Sequence, residues 1–154
     1  MTVQTAAAST LAIGTTTSAT NQSEFEADTY ATVGEVEDLG EFGDEAEEVT
    51  FTSLNDRRTR KFKGSFNAGT ITAVAGFDSN DAGQDAMIAA FASDFDYNFR
   101  VQLNDNITGG GTPTTMYFRG KVMSKRRNVG NVSNVVRQTF MVGINSAIIE
   151  VAAT

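Results

Sequence analysis

Three stretches of apolar–polar alternation constrain this chain more than anything else in it. Tyr97, Phe99, Val101 and Leu103 alternate with Asn98, Arg100 and Gln102. Met116, Phe118 and Val122 alternate with Tyr117, Arg119 and Lys121. Val136, Phe140, Val142 and Ile144 lead on to Ile148, Ile149 and Val151. A period of two places successive side chains on opposite faces, so each stretch reads as a half-buried strand. Residues 28–36 and 49–54 read as strands as well, and residues 61–75 as a long strand bent at Asn67-Ala68-Gly69.

Only Asp81 to Ala92 reads as a helix. Asp81 is placed to cap it, with Gln84 three residues on to reach back, and Met87, Ile88 and Phe91 share one face for packing. Strands without long helices between them favour antiparallel pairing. The expected class is therefore mainly β: an antiparallel β-sandwich or barrel with one flanking α-helix at about 81–92. It carries a long inter-strand loop at about 38–61 and an extended N-terminal arm. The Thr-, Ala- and Ser-rich start predicts an arm over 1–27, flexible or ordered by assembly, with Leu11-Ala12-Ile13 a possible short strand, and a single domain over 28–154.

Charge divides the chain. Residues 1–56 hold twelve acids and no Lys or Arg, whereas residues 57–154 hold all twelve basic residues and seven acids. The segment Glu37 to Glu48 alone carries seven carboxylates, a density that predicts an exposed loop. A solvated loop beside ordinary surface charge accounts for this division. So does a head-to-tail contact in which the acidic part of one copy meets the basic part of the next, an arrangement that closes into rings or runs on as filaments.

The 154 residues include no cysteine and no histidine. Disulfides, thiolate chemistry and the commonest metal ligand go with them, and so does the residue most used for proton transfer near neutral pH. No enzyme, cofactor or metal is expected. Asp78, Asp81 and Asp85, or Asp105 between Asn104 and Asn106, lack the spacing of a calcium loop and suit turns and caps better. Gly109-Gly110-Gly111 lacks the Lys and Ser/Thr of a phosphate loop. Lys125-Arg126-Arg127 has no interleaved aromatics and is a weak nucleic-acid signal. No apolar run is long enough to span a bilayer, and Met1 to Thr20 has no Lys or Arg and no continuous apolar core, so neither a membrane anchor nor a signal peptide is expected.

Several stretches, in order, resemble the tail tube (major tail) protein family of long-tailed, non-contractile bacteriophages. Gly34-Glu-Val-Glu-Asp-Leu-Gly-Glu-Phe-Gly43 resembles the family's G-E-V-x-D-I/L-G segment. Glu48-Val-Thr-Phe-Thr-Ser-Leu-Asn-Asp-Arg57 and Arg60-Lys-Phe-Lys-Gly64 follow, as they do in that family. Asp81-Ala-Gly-Gln-Asp-Ala-Met-Ile-Ala-Ala90 resembles its helix start, and Tyr97 to Leu103 and Phe118 to Val122 fit its later strands.

The resemblance implies a structural virion protein that is its own main partner. Six copies would form a ring, and rings stacked head-to-tail would make the hollow tail tube, assembled in the host cytoplasm around a tape-measure protein. Tail terminator and distal tail proteins would be further partners, and double-stranded DNA would cross the lumen without specific binding. The loop contacting other subunits would use Asp38, Leu39, Glu41, Phe42, Asp44, Glu45, Glu47, Glu48, Arg57, Arg58, Arg60 and Lys61. Acids would line the channel, and most of the basic residues 57–63 and 125–127 would face protein. A ring component of a phage-like injection or secretion system is an alternative. A monomeric β-sandwich module binding carbohydrate or a receptor, and a carboxylate-based hydrolase, are others.

Overall fold

The computed structural model describes residues 3–106 and 110–154. In chain order the elements are β1 (Thr10–Ile13), α1 (Gln22–Ala27), β2 (Ala31–Thr32), β3 (Val36–Asp38), β4 (Glu45–Thr52) and β5 (Thr59–Asn67). They continue with β6 (Thr70–Gly76), α2 (Ala82–Phe91), β7 (Tyr97–Gln102), β8 (Thr115–Asn128), β9 (Arg137–Ile144) and β10 (Ile149–Val151). The molecule is mainly β, and its antiparallel sheet curls into a half-barrel. Strand order is β2-β1-β7-β8-β9-β6-β3, with β10 also on β8; β4 and β5 form a separate two-stranded ribbon.

The fourteen-residue β8 organises the sheet. Its first half pairs β7, with Phe99 opposite Phe118, and its second half pairs β9 from Gly120 to Asn128. β10 takes the place beside Thr115–Tyr117. Residues 137–151 therefore act as one long strand interrupted at 145–148. The interruption keeps the ladder satisfied: Arg119 N donates to Ser146 Oγ at 2.8 Å, and Arg119 O accepts from Asn145 N at 2.8 Å.

The alternating residues build the core as their period requires. Leu11, Ile13, Ile71, Ala73, Phe99, Val101, Phe118, Val122, Phe140 and Val142 are buried in one cluster with Met87 and Ala90 of α2. Phe99 and Phe118 stack with centroids 5.4 Å apart. A smaller cluster of Phe25, Tyr117 and Ala19 forms where α1 covers the opposite face.

Helix α2 lies flat because Gly83 allows it. A Cβ there would fall 2.1 Å from Thr32 O. Asp81 Oδ2 accepts from Gln84 N at 2.8 Å, and also from Gly34 N at 2.9 Å. Gln84 does not reach back to its cap. It is 1% exposed and donates to Gly34 O and Gly76 O, while its Oε1 accepts from Asp78 N. One amide thus ties the ends of β2 and β6 to the helix. Met87 is buried, Ile88 half-buried, and Phe91 is 40% exposed at the helix end.

Two boundaries differ from the sequence expectation. Within the expected arm, β1 is part of the sheet: it pairs β2 on one side and β7 on the other, and Leu11 and Ile13 join the core. The following segment is pinned by buried Asn98, which donates to Thr17 O and Asp28 Oδ2 and accepts from Arg119 Nε. Arg119 also reaches Thr16 O and Ser18 Oγ. The helix α1 was not foreseen, although Asn21-x-x-Glu24 is a capping box in the sequence: Asn21 Oδ1 accepts from Glu24 N, and Glu24 Oε2 accepts from Thr20 N. Secondly, the acidic segment is loop only in part. Glu45, Glu47 and Glu48 lie in β4, where carboxylates are tolerated because both faces of that strand stay in water.

Candidate assembly surface

The ribbon β4–β5 leaves the body at Gly43 and Asn67 and returns through a turn at Ser53–Arg58. Its register runs from Glu45 opposite Asn67 to Thr52 opposite Thr59, with a bulge between Ala46 and Glu48. Residues directly opposite share a face, so Val49 and Phe62, and Phe51 and Arg60 line one side. The other side carries Glu48, Thr50, Thr52, Thr59, Lys61 and Lys63, and the extra β5 residue at the bulge puts Ala46 and Phe66 on that side too, with Gly64 and Ser65 facing Val49 and Glu47. The ribbon is amphipathic, yet nothing among the described residues covers its apolar side. Val49 is 46% exposed, Phe51 56% and Phe62 55%, and Phe66 on the other side is 68% exposed. Leu54 stands fully exposed at the tip.

Charge is graded along the ribbon. Glu41, Asp44, Glu45 and Glu47 cluster at its base, and Arg57, Arg58 and Arg60 at its tip, all exposed. Arg57 takes a left-handed conformation, φ 55°, in the turn. Asp56 accepts from Arg58 N and from the Arg60 guanidinium, and these bonds hold its carboxyl below the ordinary range. The Lys61 ammonium stands 3.2 Å from Glu48 across the ribbon. Arg60 and Lys61, both in the set expected at the contact with other copies, thus each have a carboxylate partner within their own chain.

The residues expected as a single contact loop divide into three places. Leu39 and Phe42 pack against the core, Phe42 with its ring 6.2 Å from Phe118, so they belong to the body. Asp38 Oδ1 closes a turn onto Gly40 N. Glu41, Asp44 and Glu45 border a recess of about 550 Å³ beside Ala68 and Gly69. Arg57, Arg58 and Arg60 sit at the far end of the ribbon. The phenylalanines on the ribbon's apolar face were not in the expected set. The signal for them was present, since Val49 and Phe51 alternate with Thr50 and Thr52, but alternation does not say whether a strand has a layer to pack on.

Elsewhere Lys125, Arg127, Asp105 and Asp78 are engaged in structure. Lys125 lies 5.7 Å from the Phe91 ring, and Arg127 lies 3.8 Å from that of Phe77 while its Nε donates to Gln138. Asp105 accepts from Thr114 N and Thr114 Oγ1, which lowers its pKa. Asp78 closes a turn onto Asn80 N. Gly109 of the triglycine run lies outside the described residues. Among those described, no group of three or more Asp or Glu is placed to hold a metal ion, and no helix is long and apolar enough to cross a membrane.

No protein-family model matches the chain, and no curated protein matches it. Solved structures do. A chain of the anti-feeding prophage baseplate aligns with TM-score 0.75 at 9% identity, over 99% of this chain and 97% of that one. A chain of the PVC contractile injection system's sheath/tube terminator aligns with TM-score 0.67 at 12% identity, over 97% of each. The SPP1 tail tube protein aligns with TM-score 0.65 at 12% identity, over 94% of this chain and 76% of that one. In fold, this chain is of the type found in solved tail tube, tube terminator and baseplate assemblies.

Proposed function

We propose that the chain is a structural subunit whose activity is polymerisation into a hollow tail tube. The observation that carries this reading is the ribbon β4–β5, with Val49, Phe51 and Phe62 together on one uncovered face. An isolated two-stranded hairpin is marginal in water and is stabilised by a further strand or layer. Burying such side chains is worth about 1.5–3 kcal/mol each. A second copy is the natural cover, because repetition around a ring satisfies every ribbon at once. The acidic base and basic tip give that contact a direction, head to tail.

The same reading places six copies in each ring and the rings in a virion tail. Tape-measure, terminator and distal tail proteins are its partners, and DNA passes through its bore. A lining rich in Lys or Arg would hold DNA through counterion release. Lys125 and Arg127 lie on aromatic rings of their own chain, and an acidic or neutral lining is the one that leaves DNA free to slide.

A second reading is a ring at the end of such a tube, or in an injection system, favoured by the likeness to the baseplate and terminator chains. Negative-stain microscopy of concentrated purified protein separates the two. Hollow tubes support the tube subunit, and single rings that do not elongate support the end ring. Particles that stay monomeric at every concentration overturn both. The Phe51→Asp, Phe62→Asp double variant is expected to remain folded by circular dichroism and to form neither.

A further inference from the structure

We propose that Arg100 anchors a carboxylate-binding pocket on the face of the sheet opposite the main core. Arg100 sits in the middle of β7, between Ala12 of β1 and Tyr117 of β8. Alternation turns it away from buried Phe99 and Val101. Its guanidinium carbon lies 4.8 Å from the centre of the Tyr30 ring. Its Nε is shut off from solvent and has no hydrogen-bond partner among the described residues.

Arg119, on the same face of the sheet, shows what a satisfied arginine looks like there: its Nε bonds Asn98 Oδ1 and its other nitrogens reach backbone carbonyls. Arg137 and Arg60 hold carboxylates. A buried donor left unmade costs free energy, and more so on a charged group. The side chain is nonetheless held in place by its aromatic platform. Tyr30 donates its hydroxyl to Phe25 O, and burial raises its pKa, so the platform stays neutral.

Arg100 borders a pocket of about 350 Å³ with Gln102 and Tyr117, which bring further donors, and with Thr115, whose hydroxyl donates to Pro113 O, and Glu26. A planar guanidinium edge flanked by donors matches a carboxylate, which can take two parallel bonds. The volume suits one short carboxylic acid or one Asp or Glu side chain. Among the described residues Glu26 is the only acid lining the pocket, and its Oε1 accepts from Gln22. It opposes an incoming anion and sets the sign of one test.

The test uses the whole chain, dispersed by dilution, so it does not depend on the tube reading. Sodium propionate is titrated while the backbone N–H resonances of residues 100–102 and 115–117, which every variant retains, are followed, with sodium chloride at equal ionic strength as control. A saturable shift with propionate alone is expected. Arg100→Met should abolish it with the fold intact by circular dichroism, and Arg100→Lys should weaken binding about tenfold, since a point charge cannot make the paired bonds. Glu26→Gln, at an exposed position of α1, should tighten binding about two- to fivefold. A shift that chloride reproduces, or one that never saturates, overturns the site, as does unchanged affinity in both Arg100→Lys and Glu26→Gln. A second arm identifies the source. Propionate that slows assembly of the unaltered protein but not of Arg100→Met assigns the carboxylate to a second copy, and assembly indifferent to propionate assigns the pocket to a free small acid.

Discussion

The curled sheet and the ribbon β4–β5 use the same residue types to opposite ends. Phe99, Phe118 and Phe140 are 0% exposed, whereas Phe51, Phe62 and Phe66 are each more than half exposed. Both regions alternate apolar with polar residues. The sheet has α2 against one face and α1 against part of the other, while the ribbon has no third strand and no layer. Alternation specifies a face; the fold decides whether anything within the chain covers it. In the sheet the apolar face stabilises one molecule, and in the ribbon it is left over for another.

The largest effect that could break this contrast is in the core. Phe118→Ala is expected to lower unfolding free energy by about 3–5 kcal/mol, because Phe118 stacks on Phe99 and touches Phe42 in a close-packed interior. Phe62→Ala should change it by less than about 0.5 kcal/mol in dispersed protein. Urea unfolding of the two variants measures the difference. Equal losses would mean that the ribbon is part of the single-chain fold, and the contrast would fail.

Gly83→Ala comes next, and its sign is diagnostic. In an exposed helix this change gains up to about 1 kcal/mol. Here the added Cβ meets Thr32 O and Val33 Cα, which are backbone atoms that cannot rotate aside. A loss of about 2 kcal/mol or more is expected in thermal or urea unfolding, within the range for overpacking. A gain would show that α2 is not seated on β2 as described.

Much of the sheet was legible because its strands obey one local rule. Phe99, Val101, Phe118, Phe140 and Val142 were placed by period alone. The helix was legible from Asp81 and its apolar face, but the role of Gln84 was not, because its partners Gly34 and Gly76 are set by chain ends that meet only in three dimensions. Residues 10–13 read equally as a short strand or as part of an arm, because a four-residue strand in a Thr-rich context has too little pattern to outweigh its surroundings; the pairing of β1 with β2 and β7 decides it. The candidate surface was half legible. Its charges stood out in the sequence, yet Leu39 and Phe42 turn inward and the ribbon's phenylalanines turn outward, and burial of that kind is decided by tertiary contacts.

A smaller effect concerns the N-terminal segment that joins the sheet. Burial raises the pKa of Asp28, but hydrogen bonds from Thr15 N, Asn98, Thr15 Oγ1 and Thr29 N outweigh it, and the net shift is downward. A carboxyl whose folded pKa is depressed adds stability that is complete above the unfolded value and is lost as pH falls through the folded one. Asp28→Asn should therefore be less stable than the unaltered protein at neutral pH, with the gap closing on acidification through the carboxylate range. Unfolding midpoints measured from neutral to acidic pH test this, and a gap that widens towards acid would contradict it.

The smallest effect belongs to the ribbon's polar side and sharpens the contrast from the other direction. Lys61 and Glu48 stand 3.2 Å apart with side chains 71% and 54% exposed. Exposed pairs of this kind contribute about 0–1 kcal/mol, because solvent screens the attraction and two long side chains lose freedom to make it. Lys61→Met should leave the unfolding midpoint of dispersed protein almost unchanged, and 1 M salt should do the same to the unaltered protein. Assembly should respond differently to the two faces of the ribbon. If the apolar face makes the contact, Lys61→Met leaves the concentration needed for polymerisation within about a factor of two, against a loss of polymer in the Phe51→Asp, Phe62→Asp variant. Sedimentation of polymer across a concentration series reads both. A Lys61 variant that fails to polymerise while the phenylalanine variant succeeds would move the contact to the charged side and make the exposed aromatic face incidental.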